Sequence, residues 1–151
     1  MISPAQLRRY PFFAGLTVDE VCNIAMIANE VSYPAGATIF RDGEEATRLF
    51  VLTSGTVDLE FHIQRPNKVD IAYVGSIAEG EPFALSAVLE PYRLNATCVA
   101  DGPVQTIAIE SAPLRALCDL NCHVGYAIMR QIARAQTERL SFARIQLAAC
   151  G

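Results

Sequence analysis

The sequence predicts an α+β fold: an antiparallel β-roll (a double-stranded jelly-roll) flanked by short N-terminal helices and a long C-terminal helix. Three observations predict it. Short β-rich runs recur between residues 31 and 110, separated by Gly, Pro and Asn breaks. No stretch within that span is long enough for a helical crossover, so the strands must pair antiparallel. At both ends of the chain the apolar residues instead recur at helical spacing. The 151 residues, 52% of them apolar, suit one domain (1–151) with a sizeable core. Its parts are read as N-terminal helices over 4–29, the β-roll over 31–110 and C-terminal helices over 111–148.

Ser3-Pro4 supplies an N-cap and a first-turn proline for a short helix through Arg9, which Pro11 stops. Thr17-Val18-Asp19-Glu20 is a capping box, and behind it Val18, Val21, Cys22, Ala25 and Ala28 mark a helix to about Asn29. The β runs are Ala37–Phe40, Leu49–Leu52, Thr56–Ile63, Val69–Val74, Ala96–Ala100 and Val104–Ile109. Between them stand Asp42-Gly43, Ser54-Gly55, Arg65-Pro66-Asn67, Glu79-Gly80 and Asp101-Gly102-Pro103, each with turn chemistry. Pro82–Leu89, rich in Ala and Leu, predicts two helical turns inserted among the strands. Ser111-Ala112-Pro113 opens a short helix, and Asn121 caps a longer one. There Val124, Ile128, Ile132, Ala135, Leu140, Ala143 and Leu147 form an apolar stripe. A helix of that length overhangs a domain this small, which predicts a homodimer through residues 121–148.

Twelve basic and 16 acidic residues leave a net charge of −4, the wrong sign for a phosphate-binding surface. Direct DNA binding is therefore not expected. No uncharged run exceeds 10 residues, which excludes a membrane-spanning helix. The first 20 residues carry Arg8, Arg9, Asp19 and Glu20 and show no export signal, so a cytoplasmic location is expected. Five cysteines, an odd number, are expected to be reduced and mostly buried.

Four segments together carry a resemblance. They are Pro34–Glu44 (PAGATIFRDGE), Leu49–Val57 (LFVLTSGTV), Gly80-Glu81-Pro82-Phe83 and Asn95–Ala100 (NATCVA). Their order and spacing, between short leading helices and a long final one, resemble cyclic nucleotide-binding domains across nearly the whole chain. In that family the phosphate-binding cassette reads roughly Phe-Gly-Glu, a short helix, then Arg-Ser/Thr-Ala-Thr. The resemblance implies a pocket of Phe83, Ala84, Leu85, Ser86, Arg93, Leu94, Asn95, Ala96 and Thr97.

This chain departs from the pattern where charge is needed. The Gly position holds Ala84, the ribose-binding Glu position Leu85, the phosphate-binding Arg position Leu94, and Asn95 stands where Ser or Thr would be. Losing two charge-assisted contacts removes about 3–6 kcal/mol, roughly two to four powers of ten in affinity. Cyclic AMP or cyclic GMP binding is expected to be weak or absent, with a less charged small molecule as the other occupant. A one-residue bulge between Arg93 and Ala96 would instead carry the Arg93 guanidinium into the pocket; without it Arg93 is solvated on the loop.

Other chemistry is sparse. His62 and His123 lie on different elements, so a two-histidine metal site is not expected. Cys118 and Cys122 sit four apart beside His123, but the cap at Asn121 separates them by a helix break. No nucleophile elbow, phosphate-cradling glycine loop or catalytic carboxylate pair is present, so the chain is not expected to be an enzyme. Arg130, Arg134, Arg139 and Arg144 lie on the last helix and read as a solvated or interchain-pairing face. Regulators of the catabolite-activator type follow this helix with a helix-turn-helix, and none is read here. Three functions follow: a ligand-sensing module that signals through its C-terminal helix, with a further protein partner as one receiver; a structural homodimeric interaction protein with its pocket collapsed on the two leucines; or a cyclic nucleotide binder using Arg93.

Overall fold

The computed structural model describes residues 2–150. Ser3 and Gln6 form a reciprocal capping box on α1 (Pro4–Leu7), and a 3-10 turn follows over Pro11–Phe13. Thr17 and Glu20 do the same for α2 (Val18–Ala25). α2 is shorter than its apolar spacing predicts. Ala28–Tyr33 is a strand, β1, paired antiparallel with the far end of the chain, Ala28 opposite Ile109 and Tyr33 opposite Val104. Ala28 satisfies helical and strand patterns alike. The ladder decides between them, because it satisfies a row of backbone groups that a last helical turn would leave open.

Five further strands complete the roll among the described residues: β2 (Thr38–Phe40), β3 (Arg48–Arg65), β4 (Lys68–Ile77), β5 (Pro82–Phe83) and β6 (Thr97–Glu110). The order is β1-β6-β3-β4, with β2 on β6 and β5 on β3, and every pairing is antiparallel. Pro66-Asn67 makes the β3–β4 hairpin as its turn chemistry predicts, with Arg65 opposite Lys68. Two other breaks are not strand ends. Ser54-Gly55 lies inside β3 and Asp101-Gly102-Pro103 inside β6, where the register between the two strands shifts. Strands of 18 and 14 residues must bend to enclose a core, and these glycines are the bends. Gly55 (φ +94°) makes the closest approach: a Cβ there would lie 2.6 Å from the Pro103 carbonyl oxygen and 2.9 Å from Val104 Cγ1.

Inside the roll, Phe40, Phe50 and Phe83 stack. Phe50 and Phe83 lie 5.0 Å apart at 11°, with Phe40 6.1 and 6.2 Å from them. α3 (Ser111–Leu120) leads through Asn121 to α4 (Cys122–Cys150). The Asn121 Oδ1 accepts from the amides of His123 (3.0 Å) and Val124 (3.4 Å), the cap its sequence position predicts. Val124, Ala127, Ile128, Ile132 and Ala135 are buried, all in the first half of α4.

The apolar stripe read along α4 divides into two faces. Val124, Ile128, Ile132 and Ala135 pack on the domain, and the same face continues through Arg139 to Phe142. Leu140, Ala143 and Leu147 belong to a second, exposed face that also carries Tyr126, Met129, Ala133 and Gln136.

Candidate functional site

A cavity of about 350 Å³ opens between the roll and the second half of α4. Its floor is built from the chain around Gly80. The Gly80 amide donates to the Leu52 carbonyl (2.7 Å) and the Leu52 amide to the Glu81 carbonyl (3.0 Å), which docks the turn onto β3. β5 then places Phe83 opposite Phe50 in the aromatic stack. Ala84 follows in the left-handed conformation (φ 58°, ψ 46°) and opens a single 3-10 turn over Leu85–Val88. The two helical turns expected over Pro82–Leu89 are therefore a two-residue strand, a left-handed residue and one tight turn. Pairing of Pro82 and Phe83 with β3 takes up the first part of the segment. The second part is pinned to α3, where Arg115 Nη1 donates to the Ala87 carbonyl (2.7 Å) and the guanidinium stacks 4.0 Å from the Tyr92 ring centre.

Phe83, Ala84, Leu85, Ser86, Leu94, Asn95 and Ala96 line the cavity. Leu85 and Leu94 form part of its wall without filling it. Two of the expected residues lie elsewhere. Arg93 is exposed, and its backbone forms an isolated antiparallel bridge with that of Glu45. There is no bulge to turn it inward, because the Leu94 amide donates to the Glu44 carbonyl (2.9 Å) and its carbonyl accepts from Gly43 (2.8 Å), fixing Leu94 as the inward residue. Thr97 is buried, and its Oγ1 accepts from the Asp42 amide (3.0 Å), a tie that holds the Asp42-Gly43 turn against β6.

The other half of the cavity is made by residues that sequence reading missed. Phe40, Leu59, Phe61 and Glu81 come from the roll, and Gln136, Glu138, Arg139 and Phe142 from α4. Phe142 covers Gly75, whose missing Cβ would stand 3.7 Å from its ring. Arg139 is half-buried and turns inward, contrary to the solvated face read for the helix arginines. Its Nη2 donates to the Pro82 carbonyl, while its Nε is buried with no hydrogen-bond partner among the described residues. Burial pushes the pKa of this guanidinium below the usual arginine range, opposed by the nearby Glu81 carboxylate. A signal for it existed. Arg139 interrupts the stripe Val124, Ile128, Ile132, Ala135, Phe142, and a charge on a helix's packed face is seldom accidental.

Outside this cavity no group of three or more His, Cys, Asp or Glu residues is placed to hold a metal ion among the described residues. His62 is exposed on β3 beside Glu60 (3.5 Å). All five cysteines are free thiols, but only Cys98 is fully buried; Cys122 and Cys150 are exposed, fewer in the core than expected. Burial pushes the Cys98 thiol well up and raises that of Cys118. No helix among the described residues is long and apolar enough to cross a membrane.

Comparison with known proteins agrees with this architecture. Residues 30–121 match the family profile "Cyclic nucleotide-binding domain". A crystal structure of a Geobacter metallireducens protein assigned as cyclic nucleotide-binding is 35% identical, with a TM-score of 0.83 over 93% of this chain and 99% of that one. The Thermus thermophilus catabolite activator protein is 24% identical with a TM-score of 0.70, over 93% of this chain and 62% of that one. Among curated proteins, Glutaminase 1 of Bradyrhizobium diazoefficiens is 28% identical over 94% of this chain, which spans 22% of that protein's length. With β-roll, cassette turn and long final helix all in place, the chain belongs to the cyclic nucleotide-binding domain family.

Proposed function

We propose that this chain is a non-catalytic ligand-sensing module in which occupancy of the β-roll cavity sets the position of α4. One observation carries the reading: α4 is itself a wall of the cavity, and Arg139 ties that wall to the opposite one at Pro82. A ligand entering between them competes for the guanidinium or repacks Phe142, so binding and helix position share one free-energy balance. The open volume beside Leu85 and Leu94 favours sensing over a collapsed, purely structural pocket. Similarity to a short part of a much longer glutaminase accords with a module that can serve different host proteins.

The signal requires a receiver, and the second face of α4 fits a second copy of this chain. Tyr126, Met129, Ala133, Gln136, Leu140, Ala143 and Leu147 follow a seven-residue repeat, and Tyr126, Leu140 and Leu147 are 66%, 50% and 75% exposed.

Hydrogen exchange with saturating cyclic AMP or cyclic GMP tests the coupling. Protection should change together at 82–96 and 136–142. A ligand that protects 82–96 while α4 exchanges as before would refute the proposed linkage.

A further inference from the structure

We infer that Arg139, supplied by α4, is the charge partner of the ligand, and that the cavity takes a small organic monoanion with an apolar or aromatic body. This rests on the sensing reading and specifies its ligand class.

The argument begins with unmet hydrogen bonding. A guanidinium has five N–H donors in a planar fork that matches a carboxylate or phosphate edge. In Arg139 the buried Nε has no acceptor among the described residues and Nη2 rests on a neutral carbonyl. No salt bridge to Arg139 occurs among the described residues. Of the two carboxylates lining the cavity, Glu81 accepts from the Ala78 amide (2.7 Å) and Glu138 is exposed to solvent. Glu81 and Glu138 act on the cation only at a distance, and an anion that takes Nε and a terminal nitrogen together supplies the direct partner it lacks.

The remaining walls define the rest of the ligand. Phe40, Phe61, Phe83, Phe142, Leu85 and Leu94 line the space beside the guanidinium, which suits a flat aromatic body, and Ser76, Ser86 and Asn95 offer hydrogen bonds to its polar edges. The volume, about 350 Å³, lies at the small end of ligand pockets. Arg139 offsets one negative charge on a ligand, while Glu81 and Glu138 repel any further one, so one charge is preferred over two. A cation absent from the cassette at Leu94 is thus present from the moving helix. Ligand charge and helix position are then read by the same side chain.

Calorimetry on the full chain tests this with probes that share one body and differ in charge: adenosine, cyclic AMP and AMP, and the pair 2-naphthamide and 2-naphthoate. In the unaltered protein at least one monoanion should bind ten- to a hundredfold tighter than its neutral counterpart, and AMP no tighter than cyclic AMP. Arg139→Gln should erase the preference, Arg139→Lys should keep part of it, and Arg93→Gln should leave it intact. Two results would overturn the assignment: a charge preference that survives Arg139→Gln in a folded variant, or one that vanishes in Arg93→Gln. If Arg139→Gln does not fold, Arg139→Lys with an undiminished preference overturns it as well. Equal binding of charged and neutral probes overturns the anion assignment and leaves the sensing reading standing. Binding of none overturns both.

Discussion

His123 Nδ1 lies 2.7 Å from Glu20 Oε1, joining the first turn of α4 to α2 across 103 residues of sequence. The same carboxylate, only 7% exposed, accepts from the Thr17 amide (2.9 Å) and from Asn121 Nδ2 (2.8 Å). One side chain therefore completes a capping box, holds the cap of the next helix and anchors the root of α4. The cluster ties the root of α4 to α2, whereas the half of α4 that covers the cavity has no such anchor in it among the described residues.

The anchor should depend on pH. The Thr17 amide first, then His123 and Asn121, hold the Glu20 carboxyl below its usual value of 4.5. A depressed carboxyl pKa contributes stability that is complete above the unfolded value and lost as pH falls through the folded one. Urea midpoints for the protein and Glu20→Gln should differ by a constant amount above the unfolded value of 4.5, the variant being weaker, and converge as pH falls through the lowered folded value. A gap that persists unchanged as pH falls would show that the ionised carboxylate is not what holds the helices.

Backbone conformation makes two opposite predictions. Ala84 holds a left-handed conformation that favours glycine, so Ala84→Gly should stabilise the fold by about 0.5–1 kcal/mol. Gly55→Ala places a methyl group against the Pro103 carbonyl and should cost about 2 kcal/mol or more. Denaturant unfolding of the two variants reads both signs in one experiment.

Leu94 faces the cavity at the family's arginine position, and its backbone is held on both sides by the Asp42–Glu44 loop. Leu94→Arg should raise cyclic AMP affinity about ten- to a hundredfold by restoring a charge-assisted contact. Without ligand it should lower stability by about 2 kcal/mol, since a buried leucine is lost and a charge takes its place. Titration calorimetry and thermal unfolding measure the two effects. Unchanged affinity would mean that Leu94 is not what weakens nucleotide binding.

The exposed face of α4 predicts a dimer in sedimentation at micromolar concentration. Leu140→Glu, in the middle of that face and outside the cavity, should shift the mass to a monomer. Its effect on the monomer's own stability should stay within about 0.5 kcal/mol, because the side chain is half exposed. A protein already monomeric at high concentration would remove the interchain reading.

Fold class, order of elements and caps are legible in the residues alone. Ser3, Thr17 and Asn121 act through bonds to residues two or three positions away, and Pro66-Asn67 turns the chain through its own dihedral preferences, so a local reading suffices. The sequence also singled out Phe83–Ser86 and Leu94–Ala96, which line the cavity. That Ala28–Tyr33 is a strand emerges only in the folded chain, since its hydrogen-bond partners lie some 75 residues further on, at Val104–Ile109. The same holds for the bends at Gly55 and Gly102, which read locally as turns until the neighbouring strand continues past them. Arg139 shows the limit most sharply. Its place opposite Pro82 depends on where a 29-residue helix crosses the roll. That crossing is set by the burial of Val124, Ile128, Ile132 and Ala135 on the body of the domain. The stripe marks Arg139 as a charge on the packed face, but its partner at Pro82 has no local signature, because the energy that fixes that contact is the packing of all the residues between them.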